Sequence, residues 1–128
     1  MHTFEEFIEV VAKLRSEEGC PWDREQTHES LKKCLADESQ EVFDAIDNGD
    51  MENLCEELGD VLLQVVMHSQ IAAEHGVFTI DHVIDGVCEK MIRRHPHVFG
   101  DVKASTPEES LALWNEIKRL EKLKNLDK

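Results

Sequence analysis

The stretch THESLKKCLADESQEVFDAIDNG (residues 27–49), followed at once by DMENLCEELGDVLLQVVMHSQIAAEHG (residues 50–76), decides the fold. Apolar residues recur in it at helical spacing, and β-branched runs joined by two-residue hairpin signals are missing. Thr27 reads as an N-cap, Asn48-Gly49 as a C-terminal stop, and Asp50 as the start of a second rod that continues to Gly76. Two long helices joined by so few residues must turn back on each other. The segment therefore predicts an antiparallel hairpin whose inner faces meet.

Working outward, residues 3–15 form an amphipathic helix with Phe4, Phe7, Ile8, Val11 and Leu14 on one stripe, stopped by Gly19 and Pro21. A loop carrying Trp22 follows. Beyond the hairpin, Thr79 caps a helix with Ile80, Val83, Ile84, Val87 and Met91 inward, which Pro96 ends before a loop over residues 96–105. Thr106-Pro107-Glu108-Glu109 combines an N-cap, a proline at the first helical position and a capping-box glutamate, opening a last helix with Leu111, Trp114 and Ile117. The Lys-rich tail after Glu121 is expected to fray. The reading is an all-α antiparallel bundle of four to five helices built on the long hairpin. It forms a single domain over residues 1–128, of ordinary domain size, with 41% apolar residues to fill one core.

Composition narrows the function. With 14 Lys plus Arg against 28 Asp plus Glu, the net charge of −14 opposes nonspecific binding to DNA or RNA. No stretch reaches the ~18 apolar residues of a membrane helix, since even Val61–Met67 is interrupted by Gln64. The first residues lack a basic segment followed by an apolar one, so a cytoplasmic protein is expected. Cys20, Cys34, Cys55 and Cys88 are too scattered for a zinc site and read as buried or half-buried free thiols.

Acids stand where core residues belong. With Leu31, Leu35, Val42 and Ile46 as the buried stripe of the second helix, Glu38 falls inside it and Glu41 on its border, beside Cys34 and Ala45. On the third helix Leu54, Leu58, Val61, Val65 and Ala72 define the stripe, and Glu57 and Asp60 run along its flank. Both acid pairs have i, i+3 spacing, which sets two carboxylates ~5–6 Å apart at Cβ on one face. An antiparallel hairpin brings the pairs together, and four converging anions repel by an amount that rivals the stability of a domain. Such a cluster has to hold divalent cations or protons. Oxygen ligands on rigid helices suit Mg²⁺ or Mn²⁺ better than zinc. A di-iron bundle would need Glu-x-x-His on two helices, and the motif occurs only at Glu25 to His28. The competing structural reading leaves Glu38 snorkelling to solvent or paired with a basic residue, and the other three as ordinary surface acids.

Mg²⁺ held by carboxylates most often serves phosphate chemistry. Positive charge for phosphates is available at Lys90, Arg93 and Arg94, and Trp114 with Lys118 forms an i, i+4 pair suited to a base and its phosphates. Trp114 serves equally as core filler and Lys118 as a solvated charge. His95-Pro96-His97 reads as a loop brace rather than a metal pair.

At this point the residues resemble the MazG nucleoside triphosphate pyrophosphohydrolases, from about Phe4 to Lys122. Gly19-Cys20-Pro21-Trp22-Asp23-Arg24-Glu25-Gln26-Thr27-His28 is similar to that family's loop before the second helix. Arg93-Arg94-His95-Pro96-His97-Val98-Phe99 is similar to its segment after the fourth. The family's Glu-Glu-x-x-Glu, spacer, Glu-x-x-Asp signature reads here Asp37-Glu38-Ser39-Gln40-Glu41, fifteen residues, then Glu57-Leu58-Gly59-Asp60. The resemblance implies that Glu38, Glu41, Glu57 and Asp60 bind Mg²⁺, that Asp37 supports the ligands from beside them, and that the protein is a homodimer or a dimer of dimers. The mechanism expected on that footing is hydrolysis of a nucleoside triphosphate to monophosphate and pyrophosphate, and this reading places Lys90 and Arg93 or Arg94 on the pyrophosphate, Trp114 and Lys118 on the nucleotide and one glutamate, with Glu41 the candidate, as proton acceptor. The cell-level role would be clearing unwanted nucleotides. Asp37, Gln40 and Cys88 depart from the pattern. A narrower deoxynucleotide or phosphoribosyl-ATP pyrophosphohydrolase, or a noncatalytic metal-binding helical dimer, are the rival readings.

Overall fold

Thr3 opens the first helix of the computed structural model, which describes residues 1–126. Its hydroxyl accepts from the Glu6 backbone N–H at 3.1 Å, and α1 (Phe4–Leu14) follows. Val11 is fully buried and Phe4, Phe7 and Ile8 pack beside it, the stripe read from spacing. The chain then turns sharply at Gly19, where a Cβ would lie 2.2 Å from the Lys13 carbonyl oxygen, so only glycine fits. Pro21 starts α2 (Pro21–Glu25), a short helix in place of the expected loop, with proline at the position where a missing N–H costs nothing.

Thr27 caps a turn rather than the long helix itself. Its hydroxyl accepts from the Ser30 N–H at 3.1 Å, the Ser30 hydroxyl accepts from the Thr27 N–H at 2.9 Å, and α3 begins only at Lys32. α3 (Lys32–Asp47) ends at Gly49, whose φ of 65° lets Asp50 N–H reach back to the Ala45 carbonyl at 3.0 Å. Asp50 then caps α4 (Met51–Glu74) by accepting from the Asn53 N–H at 3.1 Å. Gly76, at φ 69°, closes α4 with the same device, Val77 N–H bonding the Ala72 carbonyl at 3.0 Å. One residue pair thus ends one rod and starts the next, and α3 lies antiparallel along α4, with α1 also packed on α4.

Val11, Leu31, Val66, Met67 and Ile71 form the core of this first compact unit, Met1–Ile80. Arg15 ties its end together, bonding both Glu74 oxygens at 2.8 and 2.9 Å and the carbonyls of Asp23 and Gln26. Two stripes differ from expectation. Leu35 and Ile46 on α3, and Leu58 and Val65 on α4, are exposed, Ile46 by 54% and Leu58 by 51%. The wheel had been centred on the bulkiest apolar residues. The true seam runs through Leu31, Cys34, Glu38 and Ala45 on α3 and through Glu57, Asp60, Gln64, Met67 and Ile71 on α4, so the acids are in it rather than beside it.

The second compact unit, from Asp81 onward, holds most of α5 (Ile80–Arg94), α6 (Pro96–Phe99) and α7 (Pro107–Leu126). α6 is a single turn where a loop was expected. Ile84 and Val87 are exposed rather than inward, as is Leu111, whereas Val83, Met91, Trp114 and Ile117 are half-buried. Thr106 caps α7 by accepting from the Glu109 N–H at 3.2 Å, and the Glu109 carboxylate accepts from the Ser105 N–H at 2.7 Å, one residue before the usual capping-box partner. The tail does not fray at Glu121. α7 continues to Leu126, because Ile117, Leu120 and Leu123 keep the helical period and the lysines suit a helix C-terminus. Positions 127 and 128, also expected to fray, lie outside the described residues. Among the described residues the five long helices are joined by two short ones, and no strand occurs.

Candidate active site

Glu38 and Glu41 leave α3 one turn apart, and Glu57 and Asp60 leave α4 in the same way. Because the rods run antiparallel with both pairs in the seam, one oxygen from each of the four carboxylates lies within 4.8 Å of all the others. Two oxygens on opposite sides of one ion bound at ~2.0–2.4 Å stand ~4–4.8 Å apart, so this spread matches a shared cation. Glu38 Oε2 and Glu57 Oε2 are buried without any hydrogen-bond partner. Orphaned buried acceptors cost stability, and a cation or its water shell would satisfy them. Among the described residues no basic side chain is paired with any of the four, which speaks against the reading in which Glu38 is a simple ion pair.

The protons report the same crowding. The close approach of Glu41, then burial and the charges of Glu41, Asp60 and Glu38, push the Glu57 carboxyl up to about 7. Burial first, then the contact with Glu41, raises Glu38 as well. Glu41 is the most exposed of the four and faces solvent from the rim. The donor set, oxygen alone with high charge on stiff helices, fits Mg²⁺ or Mn²⁺.

Asp37 lies on the outer side of α3, its carboxylate taken by Lys33 Nζ at 2.8 Å. Gln40 donates to Asp44 at 3.0 Å, and Cys88 and Cys55 are exposed rather than half-buried, while Cys20 and Cys34 are half-buried. In the second unit, Arg93 and Arg94 converge on one carboxylate, Glu121, at 2.5 and 2.9 Å. The pair of guanidiniums holds Glu121 down at about 2. Arg94 also lies over the Trp114 ring, 4.8 Å from its centre, and His95 meets the ring edge-on at 5.4 Å. His95 Nδ1 donates to the Met91 carbonyl at 2.6 Å, bracing the loop as expected. Lys90 is exposed on α5, and Lys118 is exposed one turn beyond Trp114.

Sequence reasoning missed Glu121, which Lys118 and Lys124, three positions to either side, made look like an ordinary surface acid. It also missed His28 and His68. Their Nδ1 atoms meet at 2.7 Å with ring planes 2° apart and centres 5.0 Å apart. An imidazole nitrogen lies ~1.15 Å from its ring centre, so these values describe a head-on, in-plane N–H···N bond rather than a face-to-face stack. Nothing in a sequence signals a pair forty positions apart.

Residues 26–99 match the MazG nucleotide pyrophosphohydrolase domain. The chain belongs to the MazG family. A nucleoside triphosphate pyrophosphohydrolase/pyrophosphatase MazG of Thermotoga maritima is 56% identical over 119 residues, 93% of this chain and 45% of that protein. The nucleoside triphosphate pyrophosphohydrolase of Escherichia coli K12 is 41% identical over 123 residues, 95% of this chain and 47% of that protein. The chain thus spans less than half the length of these MazG relatives. A crystal structure of a MazG-related protein from Thermotoga maritima superposes with a TM-score of 0.73 at 33% identity, covering 90% of this chain and 98% of that one. Among the described residues no helix is long and apolar enough to cross a membrane.

Proposed function

We propose that this MazG domain hydrolyses nucleoside triphosphates between the α and β phosphorus atoms, giving a nucleoside monophosphate and pyrophosphate. The observation that carries the reading is the convergence of Glu38, Glu41, Glu57 and Asp60 within 4.8 Å, with two of their oxygens orphaned. These four would hold Mg²⁺, or Mn²⁺ in its place, which when bound neutralises phosphate charge and makes water a better nucleophile at neutral pH. Water adds one oxygen to the α phosphorus, the bridging oxygen leaves with the pyrophosphate, and one proton is released. Glu41, on the exposed rim, is the carboxylate best placed to take that proton.

Lys90 and the Arg93–Arg94 pair are assigned to the departing pyrophosphate, and Trp114 and Lys118 to the nucleoside end. Asp37, tied to Lys33, would affect α3's charge rather than hold the ion. The match of residues 26–99 to the MazG nucleotide pyrophosphohydrolase domain supports a nucleotide substrate, and clearing unwanted nucleotides is the cell-level role proposed with it. The domain is taken to act in the cytoplasm, without nucleic acid.

The active form is proposed to be a homodimer, or a dimer of two such dimers. Met51, Cys55, Leu58, Leu62 and Val65 follow one another at alternating four- and three-residue steps along α4, all exposed, and Leu35, Phe43 and Ile46 are exposed on α3. A continuous seam of this kind is the pattern that two helices bury against each other, and a second copy supplies the same seam.

Incubating the protein with each common ribo- and deoxyribonucleoside triphosphate and Mg²⁺, then separating products by anion exchange, tests the reaction. Monophosphate plus pyrophosphate is expected. Diphosphate plus orthophosphate would refute cleavage at the α,β bond, and no turnover with any triphosphate would favour a noncatalytic metal-binding dimer. Glu38→Gln should lose at least ~100-fold in rate, since the amide cannot supply the charge that a hard cation needs.

A further inference from the structure

Three acceptor oxygens of the first unit are buried without partners, and only two belong to the acids. The third is Gln64 Oε1. Gln64 follows Asp60 by one turn and Glu57 by two on α4, so all three share a stripe. Helical side chains lean toward the N-terminus of their helix, which lays Gln64 back over the Asp60 turn. The residue is only 7% exposed, and Met67 and Ile71 continue the same stripe as plain core.

An apolar side chain would therefore suit the position better if packing alone decided it. Unprotonated acceptors cannot satisfy one another. Whatever completes Glu38 Oε2, Glu57 Oε2 and Gln64 Oε1 together must bring donors or positive charge into the seam, and a hydrated divalent cation brings both. Mg²⁺ sheds its waters reluctantly and keeps several when bound by carboxylates, so the site needs neutral acceptors for those waters as well as charged ligands. A fifth carboxylate would add repulsion; an amide does not.

We propose that Gln64 is a positioning residue of the cation site, its Oε1 accepting a hydrogen bond from a water of the ion's shell. The proposal rests on the reading of the four carboxylates as that site. Mn²⁺ is the probe, titrated calorimetrically into wild type, Gln64→Met and Gln64→Glu, with thermal unfolding of each measured in EDTA. Gln64→Met should bind Mn²⁺ about 10-fold more weakly while melting in EDTA at the same or a higher temperature, because the orphaned amide is gone. Gln64→Glu should bind Mn²⁺ at least as tightly as wild type and melt lower in EDTA. A merely structural glutamine predicts the reverse for Gln64→Met: a lower melting temperature with Mn²⁺ affinity intact. Unchanged affinity in Gln64→Met alone overturns the role of Gln64, whereas no Mn²⁺ binding by wild type removes the carboxylate site and this role with it.

Discussion

Glu57 and Glu41 face each other across the α3–α4 seam with carboxylate oxygens within 4.8 Å, where two ionised groups repel. With its carboxyl raised to about 7 from an ordinary value of 4.5, Glu57 holds a proton in the folded protein that the unfolded chain has lost. The linkage sign follows. A raised carboxyl pKa means that the native state binds more protons between pH 4.5 and 7, so its contribution to stability is present at the acidic end and lost as pH rises through that window. Glu38, also raised, adds in the same direction. In EDTA the melting temperature should therefore fall between about pH 5 and 8, and Mg²⁺ should flatten the slope; a melting temperature insensitive to both pH and Mg²⁺ would contradict the crowding described here. The i, i+3 acids themselves were legible in the sequence. Their depth was not, because a helical wheel centred on Leu and Ile placed Glu57 and Asp60 on the flank of a stripe whose Leu58 and Val65 are themselves exposed. Gln64 read only as an interruption in an apolar run.

Helix ends were the most legible elements. Thr3, Asp50 and Thr106 cap as their residue types dictate, and Gly49 and Gly76 take the positive φ that ends α3 and α4. What the pattern could not show is contact between distant ends. Arg15, 6% exposed, spans from the C-terminus of α1 to Glu74 at the C-terminus of α4 and to two carbonyls around α2. Arg15→Ala leaves those carbonyls and a half-exposed carboxylate unpaired, which should cost about 2 kcal/mol once solvent screening at Glu74 is allowed for. At this chain length that is a fall of roughly 6–10 °C in melting temperature by calorimetry. Lysine should not restore it, since one ammonium cannot replace a fork that reaches four acceptors. A loss below 2 °C would show that α1 is held by its apolar stripe alone.

For the whole molecule, the misplaced stripes carry the lesson. A lone chain should bury Leu35, Ile46, Leu58 and Val65, yet they lie outside while Glu38, Glu57 and Asp60 are half-buried. A helical hairpin that turns its acids in and its leucines out is accounted for if a second copy covers the leucines. Sedimentation at micromolar concentration should give a dimer or tetramer for wild type and a smaller species for Leu58→Glu combined with Leu62→Glu; a monomeric wild type would contradict the proposed assembly.

The pocket between α3 and α4 is where charge, burial and sequence converge. A crystal grown or soaked with Mn²⁺ and measured near the manganese absorption edge locates the ion without reference to activity. The account predicts an anomalous peak between α3 and α4, within about 2.0–2.4 Å of oxygens from Glu38, Glu41, Glu57 and Asp60. A map with no peak among those four carboxylates at saturating Mn²⁺, or with the ion bound elsewhere, would contradict it.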